Sequence, residues 1–150
     1  MNNNKDNLKF FVAGSFYLQY ADKLPILRKD IKYLTTCDMK WKETTIVKFD
    51  NDNIIGCAGL FVNPDNLDEV WMTFLSVHSQ HRNKGVAKEL AAATVNWAKE
   101  NNKKLLVSSF TEDGRKWLYP IYKKLEHICV IKYSDEERMK VWDQLSKRAN

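Results

Sequence analysis

The stretch from residue 69 to residue 110 constrains this chain most, because a strand, a polar turn with one glycine, a helix and a second strand follow one another without interruption. Glu69–Val77 alternates with a period of two, which puts Glu69, Trp71, Thr73, Leu75 and Val77 on one face and Val70, Met72 and Phe74 on the other. Both faces are largely apolar, as expected of a strand in the middle of a sheet. Val86, Leu90, Ala93 and Trp97 then recur at helical spacing, with Lys84, Lys88 and Lys99 elsewhere on the cylinder. Residues 104–110 read as the next strand. A strand, a helix and a second strand in one sheet join by a right-handed crossover, so the two strands are expected to be parallel.

The rest of the chain supplies strands and helices around this unit. Residues 8–13 read as a short strand, and 16–36 as helix in two pieces, with Pro25 suited to a first turn. Leu27, Ile31 and Leu34 make one buried stripe there. Residues 44–49 and 54–62 are β-rich and flank Asp50-Asn51-Asp52-Asn53, whose residue types tolerate the positive φ of a hairpin turn. Residues 115–124 read as a helix kinked at Pro120, 128–133 as a strand, and 135–148 as a charged helix with Met139, Trp142 and Leu145 as its apolar contacts. The expected fold class is α/β: a mixed central sheet flanked by helices on both faces. No repeat or linker divides residues 1–150, so one domain is expected, with 1–7 as a frayed tail.

Composition narrows the function classes. Hydrophobic residues at 44% and charged residues at 29% suggest neither disorder nor a membrane span. The polar N-terminus carries no secretory signal, which points to the cytoplasm. Cys37, Cys57 and Cys129 are too widely spaced for a disulfide framework or a zinc motif, so reduced thiols and no metal are expected. A net charge of +5 favours anionic ligands, yet no basic run interleaved with aromatics marks a nucleic-acid binder.

Chemistry is written between Val77 and Lys88, in Val-His-Ser-Gln-His-Arg-Asn-Lys-Gly-Val-Ala-Lys. A helix that starts at Lys84 or Gly85 offers unpaired amides and a partial positive charge to a phosphate. Gly85 lets the backbone approach the anion, and Arg82 and Lys84 add charged contacts. The three-glycine dinucleotide fingerprint and the P-loop are both absent. Arg82-Asn83-Lys84-Gly85-Val86-Ala87 resembles the Arg/Gln-x-x-Gly-x-Gly/Ala loop of the GNAT family of N-acetyltransferases, with Val77 at the usual distance before it. Ile54-Ile55-Gly56-Cys57-Ala58-Gly59-Leu60 is similar to that family's hairpin strand, and Ile121-Tyr122-Lys123-Lys124-Leu125 to its Phe/Leu-Tyr-Glu-Lys-Leu segment. The resemblance covers roughly residues 44–133 and departs in two places. Glu126-His127 stands for the family's Gly-Phe, and Arg115 for a common asparagine.

The resemblance implies a GNAT fold and direct transfer of an acetyl group from acetyl-CoA to a primary amine in a ternary complex. It assigns the pyrophosphate to Arg82, Asn83, Lys84, Gly85, Val86, Ala87 and Lys88, and the acetyl carbonyl and pantetheine to the backbone of Leu75 and Val77. Tyr122 matches the family's general acid, with Tyr119 one turn earlier as its competitor; Glu69 is the candidate base, with His78 and Glu112 as alternatives. The acceptor is an amine on a small molecule, a protein or an aminoacyl-tRNA, and pairing of two copies is implied by the family's habits. A degenerate acyl-CoA-binding sensor and an RNA-directed enzyme are the alternatives.

Overall fold

The computed structural model describes residues 7–12, 15–31, 44–107 and 112–133. Among these, six strands form one sheet in chain order. β1 (Leu8–Val12), β2 (Thr44–Asp50), β3 (Asn53–Val62) and β4 (Glu69–Val77) are antiparallel neighbours. β5 (Lys104–Val107) runs parallel to β4, and β6 (Ile131–Tyr133) parallel to β5. The helices are α1 (Ser15–Tyr20), α2 (Leu24–Asp30), α3 (Val86–Glu100) and α4 (Glu112–Lys124), with a 3₁₀ turn, Ala21–Lys23, between the first two. Pro25 sits in the first turn of α2, where its missing N–H costs nothing. Asn51 takes φ 55 in the β2–β3 hairpin, a conformation asparagine tolerates better than most residues.

Helices cover both faces, each over its own core. On one face Leu90, Ala91 and Val95 of α3 and Tyr122 of α4 pack on Ile46, Leu60, Val70, Met72 and Leu105. On the other, Phe16, Leu24, Leu27 and Ile31 pack on Val47, Phe49, Cys57 and Phe74. Gly56 explains how closely α3 sits. A β-carbon there would lie 3.0 Å from both Leu90 Cδ1 and Val86 Cγ1 and 3.2 Å from the Ser76 carbonyl oxygen. Hydrogen at this position lets the start of α3 rest directly on the backbone of β3.

The single-face alternation expected of β4 is corrected by a bulge. Gly59 pairs with Phe74 and Leu60 with Met72, so Thr73 is an extra residue, and its hydroxyl donates to the Gly59 carbonyl at 3.2 Å. One extra residue reverses the parity of every side chain after it. Val70 and Met72 face α3, whereas Phe74 faces α1 and α2. Leu75 and Val77 therefore pack on the α3 side, and Glu69 and Trp71 belong to the opposite face.

Two boundaries also move. The helix read as 115–124 begins at Glu112. The last strand is Ile131–Tyr133 and not 128–133, because Leu125 N–H and Ile128 N–H are committed to the turn carbonyls of Tyr122 and Leu125. Leu34, Cys37, residues 108–111 and the 135–148 segment lie outside the described residues.

Candidate functional site

β4, the following loop and α3 build the site. His78 N–H donates to the Ile55 carbonyl at 2.8 Å, which fixes the phase of the ladder at the end of β4. By alternation Phe74 and Ser76 turn their backbone groups toward β3, and Leu75 and Val77 turn theirs to the other side. On that side β5 pairs with β4 only from Glu69 to Met72 among the described residues. The residues that follow β5 in the chain, 108–111, lie outside the described residues, so the pairing is described only as far as Met72.

The loop leads from this edge to a helix end. Arg82 Nε donates back to the Val77 carbonyl at 3.4 Å, and Asn83 takes φ 63. Gly85 is the N-cap of α3 with φ 81 and ψ 5, and no side chain caps the helix. Glu89 N–H already bonds the Gly85 carbonyl at 3.0 Å, whereas the amides of Val86, Ala87 and Lys88 precede the first intrahelical bond. A β-carbon on Gly85 would meet nothing within 4 Å, so no described side chain crowds the loop at that point. Arg82, Asn83 and Lys84 are exposed around it. Free amides, a helix N-terminus and two cations fit a diphosphate. The loop residues singled out in the sequence are therefore brought together.

Tyr122 is elsewhere in character. It is fully buried (0% exposed), and its hydroxyl lies 2.8 Å from Thr94 Oγ1 on α3. Thr94 itself donates to the Ala91 carbonyl at 2.7 Å, which leaves its oxygen to accept the phenol proton. Burial pushes the phenol above its usual range, against a smaller opposing effect of the Thr94 bond. Tyr122 is thus a neutral O–H donor across the physiological range, and it clasps α4 to α3. Tyr119 is half-buried, stacked edge-on against Tyr133 at 5.0 Å, with Lys123 above both rings.

Glu69 sits at the opposite end of β4 from the loop, since the strand runs from Glu69 to Val77. Its Oε1 accepts from Trp71 Nε1 at 3.0 Å and from Asn63 Nδ2 at 3.3 Å, and Oε2 is 3.8 Å from Lys132 Nζ. The expectation that Glu69 shares a face with Val77 does not hold, for the reason the Thr73 bulge supplies. His78 uses Nδ1 to accept from Gln80 N–H at 3.2 Å and turns Nε2 toward Asp30 Oδ1 at 3.9 Å. The Glu112 side chain lies outside the described residues.

Two features escaped the sequence reading. Thr94, the partner of Tyr122, is a polar residue four positions after Leu90 on the apolar face of α3, and that mismatch was its signal. Lys48 shares the core-facing parity of Thr44 and Ile46, which should have drawn attention to a buried charge. The departure at Glu126 is absorbed locally. Its φ is not positive, so no glycine is required, and its Oε1 accepts from Tyr133 Oη at 3.0 Å beside Lys123 Nζ at 3.3 Å.

Known proteins are similar to this chain in sequence and in fold. A 67-residue stretch is 31% identical to the L-2,4-diaminobutyric acid acetyltransferase of Marinococcus halophilus, covering 45% of this chain and 38% of that protein. The fold is similar to a ribosomal-protein-alanine N-acetyltransferase from Brucella melitensis biovar Abortus 2308, with TM-score 0.53 and 19% identity over 73% of this chain and 84% of that one. It is also similar to an aminoglycoside N-acetyltransferase solved with CoA, with TM-score 0.55 and 14% identity over 79% and 84%. Residues 12–126 match the acetyltransferase (GNAT) family, and the chain belongs to that family.

Proposed function

We propose that this protein is an N-acetyltransferase that moves the acetyl group of acetyl-CoA directly to a primary amine. The observation that carries the reading is the uncapped N-terminus of α3 at Gly85, reached from the end of β4 at Val77 by one short loop that carries Arg82 and Lys84. One ligand with an extended amide-bearing arm and a diphosphate would use both the strand end and the helix end. Family membership supports the same conclusion.

In this reading Arg82, Lys84 and the amides of Val86, Ala87 and Lys88 hold the diphosphate, with Asn83 and Gly85 giving the loop its shape. The backbone of Leu75 and Val77 orients the arm and polarises the acetyl carbonyl. Acetyl-CoA supplies a thioester: the amine nitrogen forms the new bond to the carbonyl carbon, the carbon–sulfur bond breaks, and the sulfur takes up a proton. Tyr122 is the proposed donor of that proton, which requires its O–H to turn from Thr94 to the leaving sulfur. Glu69 is the proposed acceptor of the amine proton, acting through ordered water because of its place at the far end of β4. A primary amine as acceptor is supported by the relatives named for diaminobutyric acid, an aminoglycoside and a ribosomal-protein alanine. A cytoplasmic setting is supported by the two described cysteines being free thiols.

The test is release of free CoA thiol from acetyl-CoA in the presence of separate amines: diaminobutyrate, an aminoglycoside, an N-terminal alanyl peptide and an aminoacyl-tRNA. Thiol release with one of them, matched by an acetyl mass increment on the amine, is the expected result. CoA binding with no transfer to any of them would speak for a sensor.

A further inference from the structure

Lys48 is a charged residue on the inner face of β2, paired across the sheet with Gly56 of β3. Its side chain is 6% exposed, and its ammonium lies 2.8 Å from Glu89 Oε2. Burying an ammonium is unfavourable unless a close anionic partner offsets the lost hydration. The partner stands in the first turns of α3, directly after the amides that form the diphosphate cradle. A carboxylate at that end suits the helix dipole but repels a dianion arriving at the same end.

We propose that Lys48 is a positioning residue for the cofactor phosphates, acting through Glu89: it cancels the carboxylate's charge so that the N-terminus of α3 stays electropositive toward the diphosphate. The pair also anchors α3 to β2, which Gly56 brings within reach of the helix. This inference rests on the proposed cofactor site at the same helix end. It gives a role to a lysine at a position where an apolar residue would pack without the cost of burying a charge. Lys48 would remove a repulsion without itself touching the ligand.

Calorimetric titration with CoA separates the electrostatic role from a purely structural one, using wild type, Lys48→Met, Glu89→Gln and the double variant. Lys48→Met leaves the carboxylate unpaired and is expected to raise the Kd about tenfold, the scale of one like charge acting at partly screened range. Glu89→Gln removes the repulsion, keeps an oxygen for Lys48, and is expected to bind CoA at least as tightly as wild type. The double variant should return to within about twofold of wild type, since neither charge remains. A structural clasp forecasts the opposite sign for Glu89→Gln, because breaking the pair from either side loosens α3. Equal weakening in the two single variants, or an unchanged Kd in Lys48→Met, overturns the proposal. Should melting curves show Lys48→Met unfolded, Glu89→Gln decides alone, weaker binding counting against. No binding by wild type defeats the cofactor site itself and leaves this inference without its basis.

Discussion

Tyr122 is asked to do two things, hold α4 to α3 and protonate a leaving sulfur, and these separate on measurement. Tyr122→Phe keeps the ring and removes the hydroxyl bonded to Thr94. Loss of that bond lowers stability by about 1 kcal/mol, and loss of a general acid lowers turnover about 100-fold or more. A variant that melts earlier yet turns over at the wild-type rate assigns Tyr122 to structure alone. Glu69→Gln keeps an acceptor for Trp71 and Asn63 and abolishes the proposed base, so turnover should fall with CoA affinity unchanged. Retained turnover removes Glu69 from the reaction. Cys57 provides a prediction in pH. Burial moves its thiol from 9.0 up to about 12, so between those values the unfolded chain sheds a proton that the folded chain keeps. Stability contributed by the neutral thiol is complete below pH 9.0 and declines as pH rises through that window. Denaturant midpoints measured across it should show the decline, reduced in Cys57→Ala, and the native thiol should resist alkylation at neutral pH.

At the level of elements, close contact between α3 and β3 controls where the helix N-terminus points. Gly56→Ala forces a methyl against Leu90, Val86 and the Ser76 carbonyl. The two side-chain ends can move, whereas the carbonyl belongs to the backbone of β4, so the substitution should cost roughly 1–3 kcal/mol. Thermal melts check the stability, and CoA titration should show weaker binding as α3 is displaced. A Gly56→Ala protein with unchanged melting and unchanged CoA affinity would show that α3 has slack. Most elements were legible because their signals are local: the Asp50-Asn51-Asp52-Asn53 turn, the apolar run within Glu69–Val77 and the helical spacing of Val86, Leu90, Ala93 and Trp97. The bulge at Thr73 was not legible, since it arises from pairing with Gly59, a partner distant in sequence. For the same reason the Tyr122–Thr94 bond and the Lys48–Glu89 pair could not be read from spacing alone. The loop at Arg82–Ala87 could be, because both its glycine and its charges are contiguous in the chain.

For the molecule as a whole, the sheet divides the work between two faces. α3 and α4 lie on one face with the proposed diphosphate cradle at the N-terminus of α3, and α1 and α2 cover the other around Phe16, Leu24 and Phe74. Net charge of +5 is consistent with a polyanionic ligand, and binding through exposed Arg82 and Lys84 should weaken as salt rises. The measurement that bears most directly on the central claim is calorimetric titration with acetyl-CoA of the wild-type protein beside the charge-reversed pair Arg82→Glu with Lys84→Glu. Micromolar binding by wild type, about −8 kcal/mol, that disappears in the reversed pair is the predicted result. Absence of binding by wild type, or equal binding by both proteins, would contradict it.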